Sequence, residues 1–297
     1  MLNDMQIGVI ESLWRFPVKS FQGEKLEQVE FDRYGILGDR AYALIDKETG
    51  KVVSAKSVKL YPDLLFCHAV YTQEPRAGEE IPSVRITLAN GTSVDSDSED
   101  IDQILSDYFK RAVMLARVAP DDFTIDQYHP DLGNLDPAGN RNISTEQKLG
   151  SALFQSMGVD SPLPPGSFMD VSPVSLVTSS SLNHLHELQP KTNFDVKRFR
   201  MNVVVKTTET GFIENTWVGK TLTIENNVSI VITKPDPRCV MTTLPQKGMP
   251  KDNNVLRTLV EHNRLDIMGS GKFPCAGVYA LVGSPGVVKV NDKVELS

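Results

Sequence analysis

The chain has 297 residues, of which 40% are hydrophobic and 23% charged; this balance is typical of a folded globular protein and excludes a disordered or fibrous one. Its 31 basic and 38 acidic residues give a formal net charge of −7, the wrong sign for a general binder of nucleic acid or anionic membranes. No run of about 18 apolar residues and no N-terminal secretory signal is seen. We therefore expect a cytoplasmic protein that contacts neither nucleic acid nor membrane.

The three cysteines are an odd number and form no CxxC pair: Cys67, Cys239 and Cys275. A disulfide framework or a four-cysteine iron–sulfur site within this chain is not expected from such a pattern. The five histidines show no HExxH spacing, and the sequence contains no GxGxxG, P-loop or GxSxG motif. The commonest zinc hydrolase, nucleotide-binding and serine hydrolase classes are thereby disfavoured.

Residues 1–120 predict a mostly antiparallel β unit with one helix. The Asn90-Gly91 pair predicts a hairpin that continues into Ser93-Val94. A short helix should follow Ser98, since Ile101, Ile104, Leu105 and Phe109 fall on one helical face. Strand patterns occur at residues 6–13, 26–31, 41–46, 51–54, 65–71 and 84–88.

Residues 121–169 predict a long connection, because turn residues and the run Ser161-Pro162-Leu163-Pro164-Pro165-Gly166 punctuate them. This segment either covers a site or joins two domains. Residues 170–297 are again rich in strands, with helices predicted at 179–188 and 253–263. The predicted strands lie at 203–206, 221–225, 229–234, 278–282, 287–290 and 293–296. The fold class is therefore mainly β with flanking helices (α+β).

Two segments of the first unit carry side chains suited to an anion. Lys19 and Ser20 follow the first strand and could bind a phosphate, or Lys19 could be a solvated residue at a strand exit. Arg40 follows Gly38-Asp39, where its planar fork could hold a phosphate or carboxylate with two bonds. A surface salt bridge to a neighbouring aspartate is the alternative for Arg40.

The segment around residue 200 leads polar side chains into an apolar strand. By the period of two residues in a strand, we expect Arg198, Arg200 and Asn202 to share one face. Two arginines and an amide in line would form an anion site. The alternative is the solvent-exposed face of an edge strand.

Cys239 follows two prolines, Pro235 and Pro237, which predict an extended loop after a strand. Arg238 beside it would favour the thiolate. A thiolate on a rigid loop suits a soft or high-valent transition metal. An inert core cysteine is the alternative, as for Cys67 within its strand pattern.

Several segments occur in order over nearly the whole chain and together resemble a known family. Pro17-Val18-Lys19-Ser20 and Gly38-Asp39-Arg40 resemble the MOSC N-terminal β-barrel domain. Other segments resemble the β-barrel MOSC domain proper, namely residues 168–178 with Ser181-Leu182, Arg198-Phe199-Arg200-Met201-Asn202, Arg238-Cys239-Val240-Met241-Thr242-Thr243, and residues 277–280 with 286–292. The resemblance implies a MOSC N-terminal β-barrel-like domain (1–120), a connection (121–169) and a MOSC domain (170–297).

The resemblance is to the part of the family that includes the mitochondrial amidoxime-reducing component and its bacterial counterparts, which bind the molybdenum cofactor and reduce N-hydroxylated compounds. It implies that Cys239 is the catalytic ligand to molybdenum. The cofactor's phosphate and pterin would be held by Lys19, Ser20, Arg40, Thr178, Ser181, Arg200 and Asn202. Asp170 is a candidate acid for proton delivery, with structural capping as its alternative. The family is also associated with pyridoxal phosphate binding.

The sequence departs from the family at two points. Met201 replaces the usual proline of an RFRPN run, and no C-terminal iron–sulfur domain follows the MOSC segment. We therefore expect a monomeric oxidoreductase that acts on a small N-hydroxylated substrate and takes electrons from separate electron-transfer proteins. A non-catalytic carrier of the cofactor, or a sulfur-transfer protein, stays open as the alternative, because fold alone does not decide function.

Overall fold

The computed structural model describes residues 5–129, 141–225 and 227–297. Residues 130–140 of the predicted connection lie outside the described part. The strands are β1 (Met5–Arg15), β2 (Glu24–Leu26), β3 (Gln28–Asp32), β4 (Gly35–Ile36), β5 (Ala43–Asp46), β6 (His68–Tyr71), β7 (Val84–Thr87), β8 (Ser93–Asp95), β9 (Val113–Ala116), β10 (Thr124–His129), β11 (Ile143–Lys148), β12 (Val174–Thr178), β13 (Val203–Thr207), β14 (Thr221–Ile224), β15 (Val228–Pro237), β16 (Arg264–Asp266), β17 (Lys272–Ser284), β18 (Gly286–Lys289) and β19 (Lys293–Leu296). The α-helices are α1 (Ile101–Phe109), α2 (Ser151–Ser156), α3 (Ser179–Leu188), α4 (Val196–Phe199) and α5 (Asn254–His262), and 3₁₀ turns lie at Leu64–Phe66, Ile213–Trp217 and Val240–Thr243.

Seven strands close into a barrel, in the order β12, β13, β1, β19, β14, β15, β17 and back to β12. Within this ring the β12–β13 pair is parallel and the other pairs are antiparallel. Alternate residues point inward, so that apolar side chains such as Ile10, Leu176 and Val278 are fully buried in its core. The prediction of a mainly β fold with a barrel in the second half is confirmed.

The N-terminal strand β1 belongs to this barrel, although the other six barrel strands come from residues 174–296. Ile10 pairs with Val205 of β13, and Met5 pairs with Leu296 of β19. The chain leaves the barrel after Arg15, contributes Val18 and Phe21 to the N-terminal core, and returns to the barrel at β2, which pairs with β1. The polypeptide therefore crosses between the two units immediately before Lys19 and Ser20.

The N-terminal unit packs short antiparallel sheets and helix α1 around a second apolar core. Val18, Leu44, Ile86 and Leu105 are buried in this core, and Cys67 fills space beside them. The predicted hairpin is present, since β7 pairs with β8. Gly91 at its turn has a φ of 88°, a conformation that glycine adopts without steric cost. The prediction of a β unit with one helix is confirmed.

Helices α3 and α5 lie against the outside of the barrel. Val177, Leu185, Phe199, Val255 and Leu259 form a third apolar cluster between the helices and the strands. The Thr178 hydroxyl accepts a hydrogen bond from the Ser181 backbone N–H at 3.1 Å and caps α3. Both predicted helices of the second unit are confirmed. Among the described residues, no helix combines the length and apolar character needed to cross a membrane.

Two predicted strands of the N-terminal unit are corrected. Residues 51–54 form no ladder and contribute a single bridge between Ile45 and Val52. The reason is a turn at 54–57, in which the Ser57 N–H donates to the Ser54 carbonyl. The pattern at 65–71 divides into the 3₁₀ turn Leu64–Phe66 and strand β6, because β6 begins only at His68.

The segment before β13 is helical, so the prediction that Arg198, Arg200 and Asn202 share one strand face is wrong. Asp195 caps α4 through the Lys197 N–H at 2.9 Å. The chain then passes through a left-handed residue, Arg200, before β13 begins. The Arg198 and Arg200 side chains consequently point in different directions: Arg200 lines a cleft, and Arg198 contacts the loop after Cys239. The loop predicted at Pro235 and Pro237 is also corrected, since β15 continues through both prolines with irregular register.

The predicted connection contains a two-stranded arm, β10 and β11. Lys51 joins both arm strands, because its ammonium lies 2.7 Å from Asp126 and 2.7 Å from Glu146. The Tyr128 N–H donates to the Lys56 carbonyl at 2.9 Å. The base of the arm is thus attached to the segment that carries Lys56.

Candidate functional site

A cleft lies where the N-terminal unit meets the barrel. Its wall comes from the turn after β1, the 54–56 turn, the segment before β12, the α4–β13 junction and the end of β15. The lining residues are Lys19, Ser20, Arg40, Ser54, Lys56, Phe168, Met169, Asp170, Val171, Ser172, Ser175, Phe199, Arg200, Asn202, Asp236, Arg238, Met241 and Tyr279. The structure therefore brings together residues that are up to 260 positions apart in the sequence (Lys19 to Tyr279).

The cleft is cationic although the whole chain is acidic. Two carboxylates, Asp170 and Asp236, line it together with five cationic side chains, which leaves a surplus of three positive charges; the cations are Lys19, Arg40, Lys56, Arg200 and Arg238. The whole chain has a net charge of −7. Low-dielectric walls strengthen such a local field, so the cleft is suited to an anionic ligand.

Asp170 bridges two lysines at one side of the cleft. One carboxylate oxygen accepts from Lys19 Nζ and the other accepts from Lys56 Nζ at 3.0 Å. Burial would raise the pKa of Asp170, but the charges of Lys19 and Lys56 hold it well below its usual range. Asp170 is therefore an ionised carboxylate near neutral pH. Sequence reasoning missed Lys56, whose only signal was its place in the polar run Ser54-Ala55-Lys56-Ser57.

Arg40 and Arg200 both lie over the ring of Phe16. Their guanidinium carbons are 4.4 Å and 4.3 Å from the ring centroid. Burial and the charge of Arg40 lower the pKa of Arg200 to about 9. Two cations held so closely in a buried place indicate a site that gains stability from a negative ligand.

Three residues of the cleft have left-handed backbone although none is glycine. The φ angles of Ser20, Arg40 and Arg200 are 66°, 50° and 55°. Side chains other than glycine rarely adopt this conformation, which costs of the order of 1 kcal/mol for each residue. Strain of this kind concentrates at functional sites, and here it falls on three residues that the sequence predicted as cofactor ligands.

Asn202 lines the cleft, and protein groups satisfy its side-chain amide. Its Nδ2 donates to Asp39 at 2.9 Å and to the Trp14 carbonyl at 3.3 Å. Its Oδ1 accepts from the N–H and the hydroxyl of Ser175 at 3.1 and 3.0 Å. Asp39 also accepts from Arg40 and from the Phe16 N–H. Asn202 therefore holds the wall of the cleft together.

Cys239 lies beside the cleft, between the end of β15 and the 3₁₀ turn Val240–Thr243. It is partly exposed, whereas Cys67 and Cys275 are fully buried. Burial lowers the pKa of Lys56, but the charge of Asp170 and the nearby Cys239 side chain raise it overall. Burial raises the pKa of Cys67 and of Cys275 to about 12, and both therefore stay thiols. Of the three cysteines, Cys239 is the one that is partly exposed, and its neighbour Arg238 lines the cleft.

Arg238 connects Cys239 to the wall. Its guanidinium donates to Asp236 and to the Phe199 carbonyl, and its N–H donates to the Pro274 carbonyl at 2.7 Å. Burial lowers the pKa of Arg238, but the charge of the nearby Asp236 raises this pKa overall. Burial raises the pKa of Tyr279, and the charge of Asp236 raises it further. Sequence reasoning did not assign Asp236 or Tyr279 to the site.

Arg198 fixes the loop after Cys239 from behind. It is fully buried, and its guanidinium donates to the carbonyls of Thr242, Leu244 and Pro250 at 3.3, 3.2 and 2.8 Å. The Thr242 carbonyl lies in the 3₁₀ turn Val240–Thr243, and the other two carbonyls lie in the segment that follows this turn. Arg198 is thus a structural clamp on the cysteine loop and does not line the cleft.

Thr178 and Ser181 are not among the residues that line the cleft. Both hydroxyls donate to one oxygen of the buried Glu214, at 2.7 and 2.6 Å. Burial raises the pKa of Glu214. In the structure these two residues bind the 3₁₀ turn Ile213–Trp217 to the N-terminus of α3, and the cleft lies elsewhere.

Two domain families match this sequence. Residues 7–111 match the MOSC N-terminal beta barrel domain, and residues 165–295 match the MOSC domain. The chain carries both MOSC domains. All the residues that line the cleft fall inside these two matches, some in each.

The chain is also similar over nearly its full length to curated proteins. It is 24% identical to mitochondrial amidoxime-reducing component 1 of Mus musculus, over 98% of this chain and 83% of that protein. It is 26% identical to mitochondrial amidoxime reducing component 2 of Macaca fascicularis, over 97% of this chain and 83% of that protein. Among solved structures, the YUAD protein from Bacillus subtilis aligns with a TM-score of 0.46 at 12% identity, over 100% of this chain and 98% of that one.

Proposed function

We propose that this MOSC protein is a molybdenum-cofactor-dependent oxidoreductase that reduces N-hydroxylated compounds with electrons from separate electron-transfer proteins. The observation that carries the proposal is a cationic, strained cleft that borders a partly exposed cysteine. Similarity to proteins named amidoxime-reducing components supports the reaction class.

The residues of the cleft fit the chemistry of this cofactor. A pterin cofactor of this kind brings an anionic phosphate, a polar ring edge and a metal that accepts soft sulfur ligands. Lys19, Lys56, Arg40 and Arg200 supply positive charge, and the thiolate of Cys239 supplies the sulfur ligand. When bound, the cofactor would provide the two-electron redox chemistry.

Two buried polar atoms in the wall also favour a polar ligand. Asp236 Oδ1 and Arg238 Nε are buried and have no hydrogen-bond partner among the described residues. Buried groups of this kind usually find a partner, because an unmade hydrogen bond costs about 1–3 kcal/mol. Both residues line the cleft, so the unpartnered atoms belong to the wall that a polar ligand would contact.

The side chains of the chain have separate tasks in this proposal. The five cations bind and orient the anionic cofactor, and the wall around Asn202 and Asp39 keeps their spacing. Because its lowered pKa keeps Asp170 ionised, we assign it the positioning of Lys19 and Lys56 in place of proton donation. Ammonium protons on Lys19 Nζ and Lys56 Nζ then face the cleft.

The first test is molybdenum content by mass spectrometry together with pterin fluorescence, on protein from a host that makes the cofactor. We expect near-stoichiometric metal and pterin in the wild type and loss of bound metal in Cys239→Ala. Cys67→Ala is the matched control, since Cys67 lies in the N-terminal core and should leave metal content unchanged. Wild-type protein without metal or pterin, from a host that loads another molybdoenzyme, would remove the proposal.

The second test separates the enzyme from a carrier. Loaded protein, a reductant and benzamidoxime should give amidine with turnover that depends on Cys239. A carrier or sulfur-transfer protein would instead deliver cofactor or sulfur to an apo-enzyme and reduce no benzamidoxime. Loaded protein that transfers its cofactor without turnover would leave the cofactor site in place and overturn the oxidoreductase.

A further inference from the structure

A second cavity lies between the N-terminal unit and residues 164–167 of the predicted connection. Its volume is about 280 Å³, near the lower end of the roughly 300–1,000 Å³ of small-molecule sites. The lining residues are Asp32, Ile36, Leu37, Gly38, Asp39, Ala41, Ile81, Arg117, Val118, Pro164, Pro165, Gly166 and Ser167. None of these described residues lines the cleft, so the cavity is a separate place in the molecule.

Hydrogen bonds to the main chain around the cavity hold its walls in place. The Tyr71 hydroxyl donates to the Gly38 carbonyl at 2.7 Å on one side. On the other side the Ala119 N–H donates to the Gly166 carbonyl at 2.8 Å, directly before Ser167. Both walls are therefore fixed before a ligand enters.

Most of the cavity lining is aliphatic, but a buried hydroxyl lies within it. The larger aliphatic side chains are Ile36, Leu37, Ile81, Val118, Pro164 and Pro165. Ser167 is only 9% exposed, and its Oγ has no hydrogen-bond partner among the described residues. Because buried hydroxyls usually have a partner, this atom indicates a ligand that brings a polar group into an otherwise apolar space.

The lining also offers one cation and one carboxylate to a ligand. Arg117 pairs through Nη1 with the exposed Glu80 at 2.8 Å, and a guanidinium has five N–H donors, so it can also bind a second carboxylate. One carboxylate oxygen of Asp32 accepts from the Tyr34 N–H at 2.6 Å, and the second oxygen can accept from a cation. The third charged residue of the lining, Asp39, already serves the wall of the cleft.

We propose that this cavity binds a free apolar amino acid of about the size of leucine. The carboxylate of the amino acid accepts from Arg117 and Ser167, its ammonium donates to Asp32, and its side chain covers the aliphatic wall. A simple carboxylic acid or a simple amine would use only one of the two charges. The size follows from the volume, which holds about ten atoms of the size of a water molecule.

The test is isothermal titration of the full chain with L-leucine and with two analogues that each lack one charge. The analogues are 4-methylpentanoate, which has no ammonium, and leucinamide, which has no carboxylate. Leucine should bind in about the millimolar range or tighter, and each analogue about tenfold more weakly. Arg117→Gln and Asp32→Asn should each weaken leucine binding about tenfold, and Ser167→Ala should weaken it several-fold. Arg85→Gln is the matched control, because Arg85 is an exposed arginine that pairs with Asp95 outside the cavity.

The analogues separate a contact with the ligand from a structural role of the same residue. Arg117→Gln should weaken leucine and 4-methylpentanoate but leave leucinamide unchanged. Asp32→Asn keeps the oxygen that accepts from Tyr34, and it should weaken leucine and leucinamide but leave 4-methylpentanoate unchanged. Equal weakening of all three ligands by either variant would overturn the proposal. The same conclusion would follow if the wild type bound 4-methylpentanoate as tightly as leucine or showed no saturable binding of leucine, and these two measurements need no variant to fold.

Discussion

The Arg40 guanidinium donates a hydrogen bond to the main-chain carbonyl of Arg200 at 3.1 Å. The bond joins the N-terminal unit to the residue that leads into barrel strand β13. Both arginines have left-handed backbone, and both stack on Phe16. The cleft is therefore built at the junction by residues that hold each other in conformations that neither would adopt alone.

The strain at Arg200 can be measured by comparing two truncations. Arg200→Gly and Arg200→Ala remove the same charge, but only alanine keeps the cost of a left-handed backbone. We expect the glycine variant to be more stable than the alanine variant by about 1 kcal/mol in urea unfolding. Lys110, an exposed residue with a φ of 57° after α1, offers a matched pair that should show the same difference. Equal stability of the two Arg200 variants would mean that the backbone there is not strained.

Asn202 should be intolerant of a change to aspartate. In Asn202→Asp, a carboxylate oxygen would replace the amide that donates to Asp39, and two negative groups would meet in a buried place. We expect a loss of about 3 kcal/mol in the free energy of unfolding at pH 7. Asn202→Ala removes the same donors without adding charge and should lose less. If the aspartate variant were as stable as the alanine variant at pH 7, the buried contact with Asp39 would be disproved.

Asp46 gives the N-terminal unit a defined dependence on pH. Burial would raise its pKa, but hydrogen bonds from Tyr61 at 2.6 Å and Arg111 at 2.8 Å lower it to about 2 from an ordinary 3.8. The folded state thus favours the ionised form, and its contribution is complete above about pH 4 and disappears as the pH falls towards 2. The contribution is about 2 kcal/mol at neutral pH.

The measurement is urea unfolding of the wild type and Asp46→Asn between pH 2 and 7. The difference in stability between them should be largest at neutral pH and should shrink as the pH falls from about 4 to about 2. Comparison with the variant removes the contribution of other carboxylates that titrate in the same range. A difference that stayed constant over this range would show that Asp46 keeps its ordinary pKa in the folded protein.

The sequence was most informative where one short segment carries the whole signal. Helix α3 has the bounds that the sequence predicted, since Leu182 and Leu185 share a helical face. Barrel strand β14 and the first half of β15 alternate between buried and half-buried side chains, so a local pattern predicts them as well. The closure of the barrel by β1 could not be read in this way, because the pairing of Ile10 with Val205 depends on contacts between distant segments.

The site was predicted where a residue type is unusual for its surroundings and missed where a partner is distant. Lys19, Arg40 and Arg200 are cations beside apolar strands, and they do line the cleft. Lys56 was missed because its partner Asp170 lies 114 residues away. Arg198 was predicted on a strand face, but Asp195 caps a short helix over the residues that precede β13, and Arg198 lies in that helix. Local pattern cannot show the pairing of Lys56 with Asp170, whereas the Asp195 cap was a local signal that the strand prediction overlooked.

Arg198 should control the accessibility of Cys239 without touching it. In Arg198→Met the aliphatic bulk stays, but the hydrogen bonds to the carbonyls of Thr242, Leu244 and Pro250 are lost. The carbonyls of Thr242 and Leu244 are buried, and their loss of a donor should destabilise the fold by about 3 kcal/mol and loosen the loop that follows Cys239. Alkylation of Cys239 by iodoacetamide, followed by peptide mass spectrometry, should become several-fold faster.

Two internal comparisons make this result specific to the loop. Cys67 lies in the core of the N-terminal unit, and its alkylation should stay slow in the variant under native conditions. Arg264→Met removes an exposed arginine that donates to the Lys272 carbonyl, and it should leave the rate at Cys239 unchanged. Equal acceleration at Cys67 and Cys239 would point to global unfolding, and an unchanged rate at Cys239 would show that the loop holds its conformation without Arg198. Selective acceleration at Cys239 is expected because the three carbonyls belong to the chain that directly follows it.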